Sequence, residues 1–170
     1  MSVGDQVTSL WFVPTAEYLE KYFRWLIGNY AQRPQDIEQF APHAFKALQF
    51  VDECFRSIGT MNGAWPELLR EIVKHLSIFS DDGQRIFSGR WSRAPVEFGS
   101  LGINLSDENG NTKANPLAKR ERRIVVKGEE LFFWWHSKLE PHQNRIHICP
   151  GKIPAGGKMI VGIFCLHLAT

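Results

Sequence analysis

This chain is short of cysteine, has no long apolar run and carries none of the common catalytic signatures. Each absence narrows what it can be. Three cysteines in 170 residues, Cys54, Cys149 and Cys165, are too few for a disulfide framework. They are read as free thiols in a reducing cytoplasm. No run approaches the roughly 20 apolar residues of a membrane span, so no membrane partner is expected. The opening stretch MSVGDQVTSLW holds an acid and no basic n-region, which argues against a signal peptide. P-loop, GxGxxG, HExxH and GxSxG signatures are all missing, which removes the common nucleotide-binding, zinc-protease and hydrolase classes. The chain also lacks CxxC pairs, internal repeats and low-complexity tracts.

What is present suffices for a sizeable core: 44% of residues are apolar and 12% aromatic. The length fits one compact domain. Net charge is only +2, but it is unevenly spread. Residues 1–80 carry seven Lys/Arg against nine Asp/Glu, and residues 81–170 carry 13 against nine. The positive excess lies in the second half.

Residues 1–80 read as helices. From Thr15 to Tyr30, residues Tyr18, Leu19, Tyr22, Phe23, Leu26 and Ile27 make one apolar stripe, with Thr15 as N-cap. A second helix is expected from near Pro42 to near Gly59, with PQDIEQF before it as a turn. A third follows Trp65, with Pro66 at its first turn. Asp82-Gly83, Ser88-Gly89 and Asn109-Gly110 then read as turns, and 92–117 as a long irregular loop. From Arg122 the pattern is β: RRIVV and LFFWW, joined through Lys127-Gly128, then RIHIC and KMIVGIFCLHL. The fold class is α+β, with N-terminal helices packed on a C-terminal antiparallel sheet or partial barrel. Residues 81–170 form its β segment.

Hairpin arithmetic brings three histidines together. A turn over Glu140–Gln143 sets Leu139 opposite Asn144 and His136 opposite His147. A turn centred on Gly157 would set His147 opposite His167. Opposed residues share a face, so the imidazoles would stand in a row roughly 4.8 Å apart. Cys149 and Cys165 also oppose each other in that register, and so do Lys138 and Arg145.

Like charges directly opposed destabilise a sheet unless an anion bridges them. A phosphate would bridge them, and so would a carboxylate such as Glu140 or Glu121; AKRERR supplies Lys119, Arg120, Arg122 and Arg123 nearby. Cations beside aromatics fit RNA or another single-stranded nucleic acid. Imidazoles as acid and base, with cations on the phosphorane, can cleave RNA without a metal. The catalytic candidates are then His136, His147 and His167, and the phosphate ligands Lys138, Arg145, Arg120, Arg122 and Arg123. Two other readings stay open. One is a three-histidine zinc site, or a Cys/His site using Cys149 and Cys165. The other is a protein-interaction module in which the histidine row is structural.

The ending, an arginine-rich strand, WWHSKL, a turn, RIHI and KMIVGIFCLHL, resembles the sheet of RelE-type ribosome-dependent mRNA interferase toxins. The resemblance covers about the last 50 residues. It implies a small bacterial or mobile-element protein of toxin or defence type. Basic residues and an acid/base side chain would share one sheet face, at Lys138, Arg145 and the three histidines.

Overall fold

The structure is a computed structural model and describes residues 15–139 and 143–170. Helix α1 spans Ala16–Tyr30, with Thr15 at the expected N-cap position but without a side-chain cap bond. Helix α2 spans Pro34–Ala44. This departs from the expected Pro42–Gly59 helix, and the reason is local. Pro34 sits in the first turn, and the Asp36 carboxylate accepts the backbone N–H of Gln32 and Arg33 at 2.8 and 3.0 Å. Those bonds start a helix where a turn was expected, and they hold the Asp36 carboxyl below its usual range. After α2 the chain makes a short strand, β1 (Leu48–Phe50), and a 3-10 helix over Cys54–Thr60. Of the apolar stripe expected for the Pro42–Gly59 helix, Phe45, Leu48, Val51, Phe55 and Ile58, all but the half-buried Val51 are buried, but from successive short elements.

Helix α3 runs from Trp65 to Phe87, through the expected Asp82-Gly83 turn. Gly83 serves packing there. A Cβ on it would lie 2.5 Å from the Met159 methyl, so its absence lets the sheet approach the helix. The expected loop 92–117 is structured too. It holds a 3-10 turn (Trp91–Arg93), α4 (Ala94–Ser100), β2 (Asn104–Asp107) and α5 (Gly110–Ala114). Asn109, read as a turn residue, caps α5 by accepting the Thr112 N–H. Helix α6 (Pro116–Glu121) takes up most of AKRERR.

The remaining strands are β3 (Arg123–Val126), β4 (Glu129–Phe132), β5 (Trp135–Leu139), β6 (Asn144–Cys149) and β7 (Met159–Cys165). The protein is α+β: N-terminal helices lie against a five-stranded sheet of order β1-β7-β6-β5-β2. Its pairings are antiparallel except that of β1, an N-terminal strand at the sheet edge, which is parallel to β7. One face of the sheet, including Leu105, Trp135, Leu139, Ile146, Ile148, Val161 and Phe164, is buried with the helices in a single core.

The β3–β4 hairpin is a separate two-stranded sheet. Its two-residue turn, Lys127-Gly128, has both φ values positive (51° and 82°), the conformation of a primed hairpin turn. Alternation along RRIVV places Ile124 and Val126 with the apolar sheet face that the helices would cover, but they pack around a second cluster of Leu131, Phe133, Cys149 and Ile160, so the hairpin covers part of the histidine face. No helix among the described residues is long and apolar enough to cross a membrane.

Candidate functional site

The β5–β6 register is the expected one: His136 pairs with His147, Lys138 with Arg145 and Leu139 with Asn144. The turn assigned to Glu140–Gln143 lies mostly outside the described residues, as does His142. The β6–β7 register differs. His147 faces Ile163, not His167, and Arg145 faces Cys165. A 3-10 turn over Ile153–Ala155 and a left-handed Gly156 (φ 76°) make a longer connection than a tight turn at Gly157. The strand therefore slides by four residues. An even slip preserves the face, so Ile163 and Cys165 remain beside the histidines, but His167 passes beyond the end of β7. The row of three is a pair. Cys149 and Cys165 are not opposed either, because Cys149 faces Ile160. Both are buried free thiols whose pKa values burial raises, that of Cys165 to about 11.

The pair is closed over. Residues 166–170 leave β7 and run along α6 without forming a strand. Ala169 donates its N–H to Glu121 Oε2 at 2.7 Å and accepts Arg122 Nη1 at 2.8 Å. The Thr170 carbonyl accepts Asn115 Nδ2. His136 is 6% exposed and His147 0%. Their ring centroids are 5.2 Å apart.

Two charged residues complete the cluster, and neither was expected in this role. Arg122, taken as a phosphate ligand, is 1% exposed and faces inward. Its Nε and Nη2 donate to Glu108 Oε1 at 3.2 and 2.8 Å, and Nη1 also donates to the Ala118 carbonyl. Folding the β3–β4 unit over the histidine face turns this one member of the basic run inside. Glu108 follows β2 directly, and its backbone N–H donates to the Trp134 carbonyl. As the second of two adjacent acids in NLSDENG, it carries no sequence sign of this role. The non-local β2–β5 pairing, Ser106 opposite His136, brings it there.

The His147 tautomer follows from its surroundings. Nδ1 lies 3.0 Å from the Phe133 carbonyl, which only accepts, so Nδ1 carries the proton. Nε2 is left as a buried lone pair without a hydrogen-bond partner. His136 Nδ1 stands 3.3 Å from Glu108 Oε1 yet makes no hydrogen bond with it. Burial, opposed by the Glu108 carboxylate and reinforced by Arg145, Lys138 and Arg122, lowers the His136 pKa to about 4. Burial and then His136 push His147 well below its usual value. On the helix-covered face, His75 bonds Ser137 Oγ at 2.9 Å, and burial lowers it to about 3.

A pH prediction follows. These histidines are neutral in the folded protein and titrate near 6.5 when unfolded. Below pH 6.5 the unfolded chain binds more protons, so stability falls with pH. The slope is about 1.4 kcal/mol per pH unit for each histidine, down to about pH 4 for His136 and about pH 3 for His75. Urea midpoints should hold steady above pH 7 and fall steeply from 6.5 to 5. A flat profile across that window contradicts the buried neutral assignment.

Outside the cluster, the histidine face ends in an open rim. Lys138 and Arg145 are half-buried. Arg145 lines a pocket of ≈ 340 Å³ with Asn62, Gln143, Leu166 and the exposed His167. Arg120 and Arg123 are exposed, and Arg123 pairs with Glu130 at 3.1 Å. Phe132 and Trp134, both partly exposed, stack with centroids 5.6 Å apart and planes 5° from parallel. Lys119 Nζ sits 5.3 Å over the Phe132 ring. His43 is exposed and stacks on Phe23. No protein-family model, curated protein or solved structure matches the chain.

Proposed function

We propose that the protein binds single-stranded RNA along the rim of the histidine face. The observation that carries this reading is the Phe132–Trp134 stack with Lys119 over it. Flat, partly exposed aromatic rings offer a platform to any nucleobase, and adjacent cations hold the backbone phosphates. Trp134 immediately precedes β5, the strand that carries Lys138. Lys138 and Arg145, opposed in register, supply one phosphate site, Arg123 pairs in register with Phe132, and the exposed Arg120 supplies a further cation. Arg122 drops out of the phosphate set because Glu108 neutralises it inside the protein.

The reading is binding before cleavage. His136 and His147 are enclosed and neutral, so neither suits a general acid near neutral pH. Of the three histidines of the expected row, His167 alone is exposed. Cleavage of the kind the RelE-type resemblance implies would fall to His167 with Arg145, in the pocket they share.

Fluorescence anisotropy with a short labelled single-stranded RNA tests the proposal. Affinity should fall with rising salt. Trp134→Leu should weaken binding by about 1–3 kcal/mol, the loss of one stacked base. Lys138→Gln and Arg120→Gln should each reduce the salt slope by about 0.7, because each removes one phosphate contact on a single strand. Absence of binding at low salt, or binding indifferent to Trp134→Leu, overturns it.

A further inference from the structure

We propose that Glu108, His136 and His147 form a binding site for a divalent first-row transition-metal ion. This goes beyond RNA binding and rests on different residues. One ligand atom from each residue can be chosen so that all lie within 4.8 Å of one another. Two imidazoles and a carboxylate are a donor set suited to zinc, iron or cobalt. On zinc, bonds of about 2.0–2.2 Å place tetrahedral ligands roughly 3.3–3.6 Å apart. The cluster therefore closes on an ion through side-chain adjustments of about an ångström.

Three features point to a ligand site over a packing cluster. The His147 Nε2 lone pair is wholly buried and makes no hydrogen bond, which is costly unless something occupies it. The same holds for His136 Nδ1. His147 also has the support that metal-bound imidazoles have: its other nitrogen donates to a backbone carbonyl, which fixes the tautomer and aims the free lone pair.

Arg122 is the feature that opposes a cation. Both of its contacts to Glu108, and the approach of His136, fall on Oε1. The guanidinium thus orients the carboxylate while the second oxygen stays out of all three contacts. Residues 166–170 belong to no helix or strand and are tied to the cluster through the Ala169 carbonyl, which accepts from Arg122 Nη1.

This site replaces the three-histidine and Cys/His alternatives. His167 lies beyond β7, Cys149 packs with Leu131, Phe133 and Ile160, and Cys165 faces Arg145.

The test uses the full chain after chelator treatment. Cobalt(II) uptake is followed by visible absorption, and zinc uptake by calorimetry. The expected result is one equivalent bound, with a rise in melting temperature. His147→Gln and Glu108→Gln should each weaken binding by at least about 10–100-fold, the range for losing even an outer-shell partner. His43→Gln and His167→Gln should leave metal uptake unchanged. If either cluster variant fails to fold, ring ¹⁵N spectra of the unaltered protein decide. One equivalent of zinc should shift His147 Nε2 and His136 Nδ1. No uptake, uptake that survives both cluster variants, uptake lost with His43 or His167, or unshifted ring nitrogens overturns the proposal.

Discussion

Replacing Arg122 with methionine should destabilise the protein by about 3–5 kcal/mol, far more than a surface arginine would. The guanidinium is 1% exposed and donates to Glu108 Oε1 and to the Ala118 and Ala169 carbonyls. Removing it strands a buried carboxylate beside His136, and breaking one side of a buried pair carries that cost. Both tethers of Arg122 to Ala118 and Ala169 go with it, so residues 166–170 loosen as well. For a chain of this size the melting temperature should drop by roughly 10 °C. Arg122→Met combined with Glu108→Gln should recover part of the loss, because an amide is cheaper to bury than a lone charge. Urea denaturation of the two single variants and the double variant measures this directly. A loss below about 1 kcal/mol for Arg122→Met would show that the pair is solvated.

Gly162→Ala should be similarly damaging, for a steric reason. Gly162 is the extra residue of a β-bulge, between Val161, which faces Ile148, and Ile163, which faces His147. A Cβ there would lie 2.6 and 2.7 Å from Phe133 ring atoms, with a third atom closer still. Phe133 is fully buried and cannot retreat. Overpacking usually costs about 1–3 kcal/mol, and a rigid ring with no free volume puts this case at or above the top of that range. The consequence reaches the site, because the Phe133 carbonyl holds His147 and its N–H donates to the Arg122 carbonyl. Phe133→Leu alone should cost a few kcal/mol as a truncation. Added to Gly162→Ala, it should cost less than the sum, because the leucine vacates the space the new methyl needs. Additive losses would mean that Gly162 is required for another reason.

The pairing of β5 with β6 was legible because two apolar runs flank a short polar turn. That alone set His136 against His147 and Lys138 against Arg145. The β3–β4 hairpin was legible from Lys127-Gly128, whose positive φ values suit that turn. The β7 register was not. It depends on a 3-10 turn and a bulge, and neither has a periodic signature. Alternation survived the slip at Ile163 and Cys165, while the bulge at Gly162 swaps the faces of Ile160 and Val161 and His167 passes beyond the strand. Glu108 was invisible because β2 joins the sheet through a pairing more than 25 residues away in sequence. Arg122 was misread for a related reason: a basic run looks like a solvated edge until another layer folds over it. The start of α2 was within reach, since Pro34 and Asp36 are helix-start residues at the right spacing.

The proposed RNA site is the rim of the histidine face. Photo-cross-linking with RNA carrying 4-thiouridine, followed by peptide mass spectrometry, tests it most directly. Cross-links should fall on the peptide containing Phe132 and Trp134 and on the segment around Arg145 and His167, and should disappear in competition with unlabelled RNA. Cross-links confined to α1 or α3, or none above background at low salt, would contradict the claim.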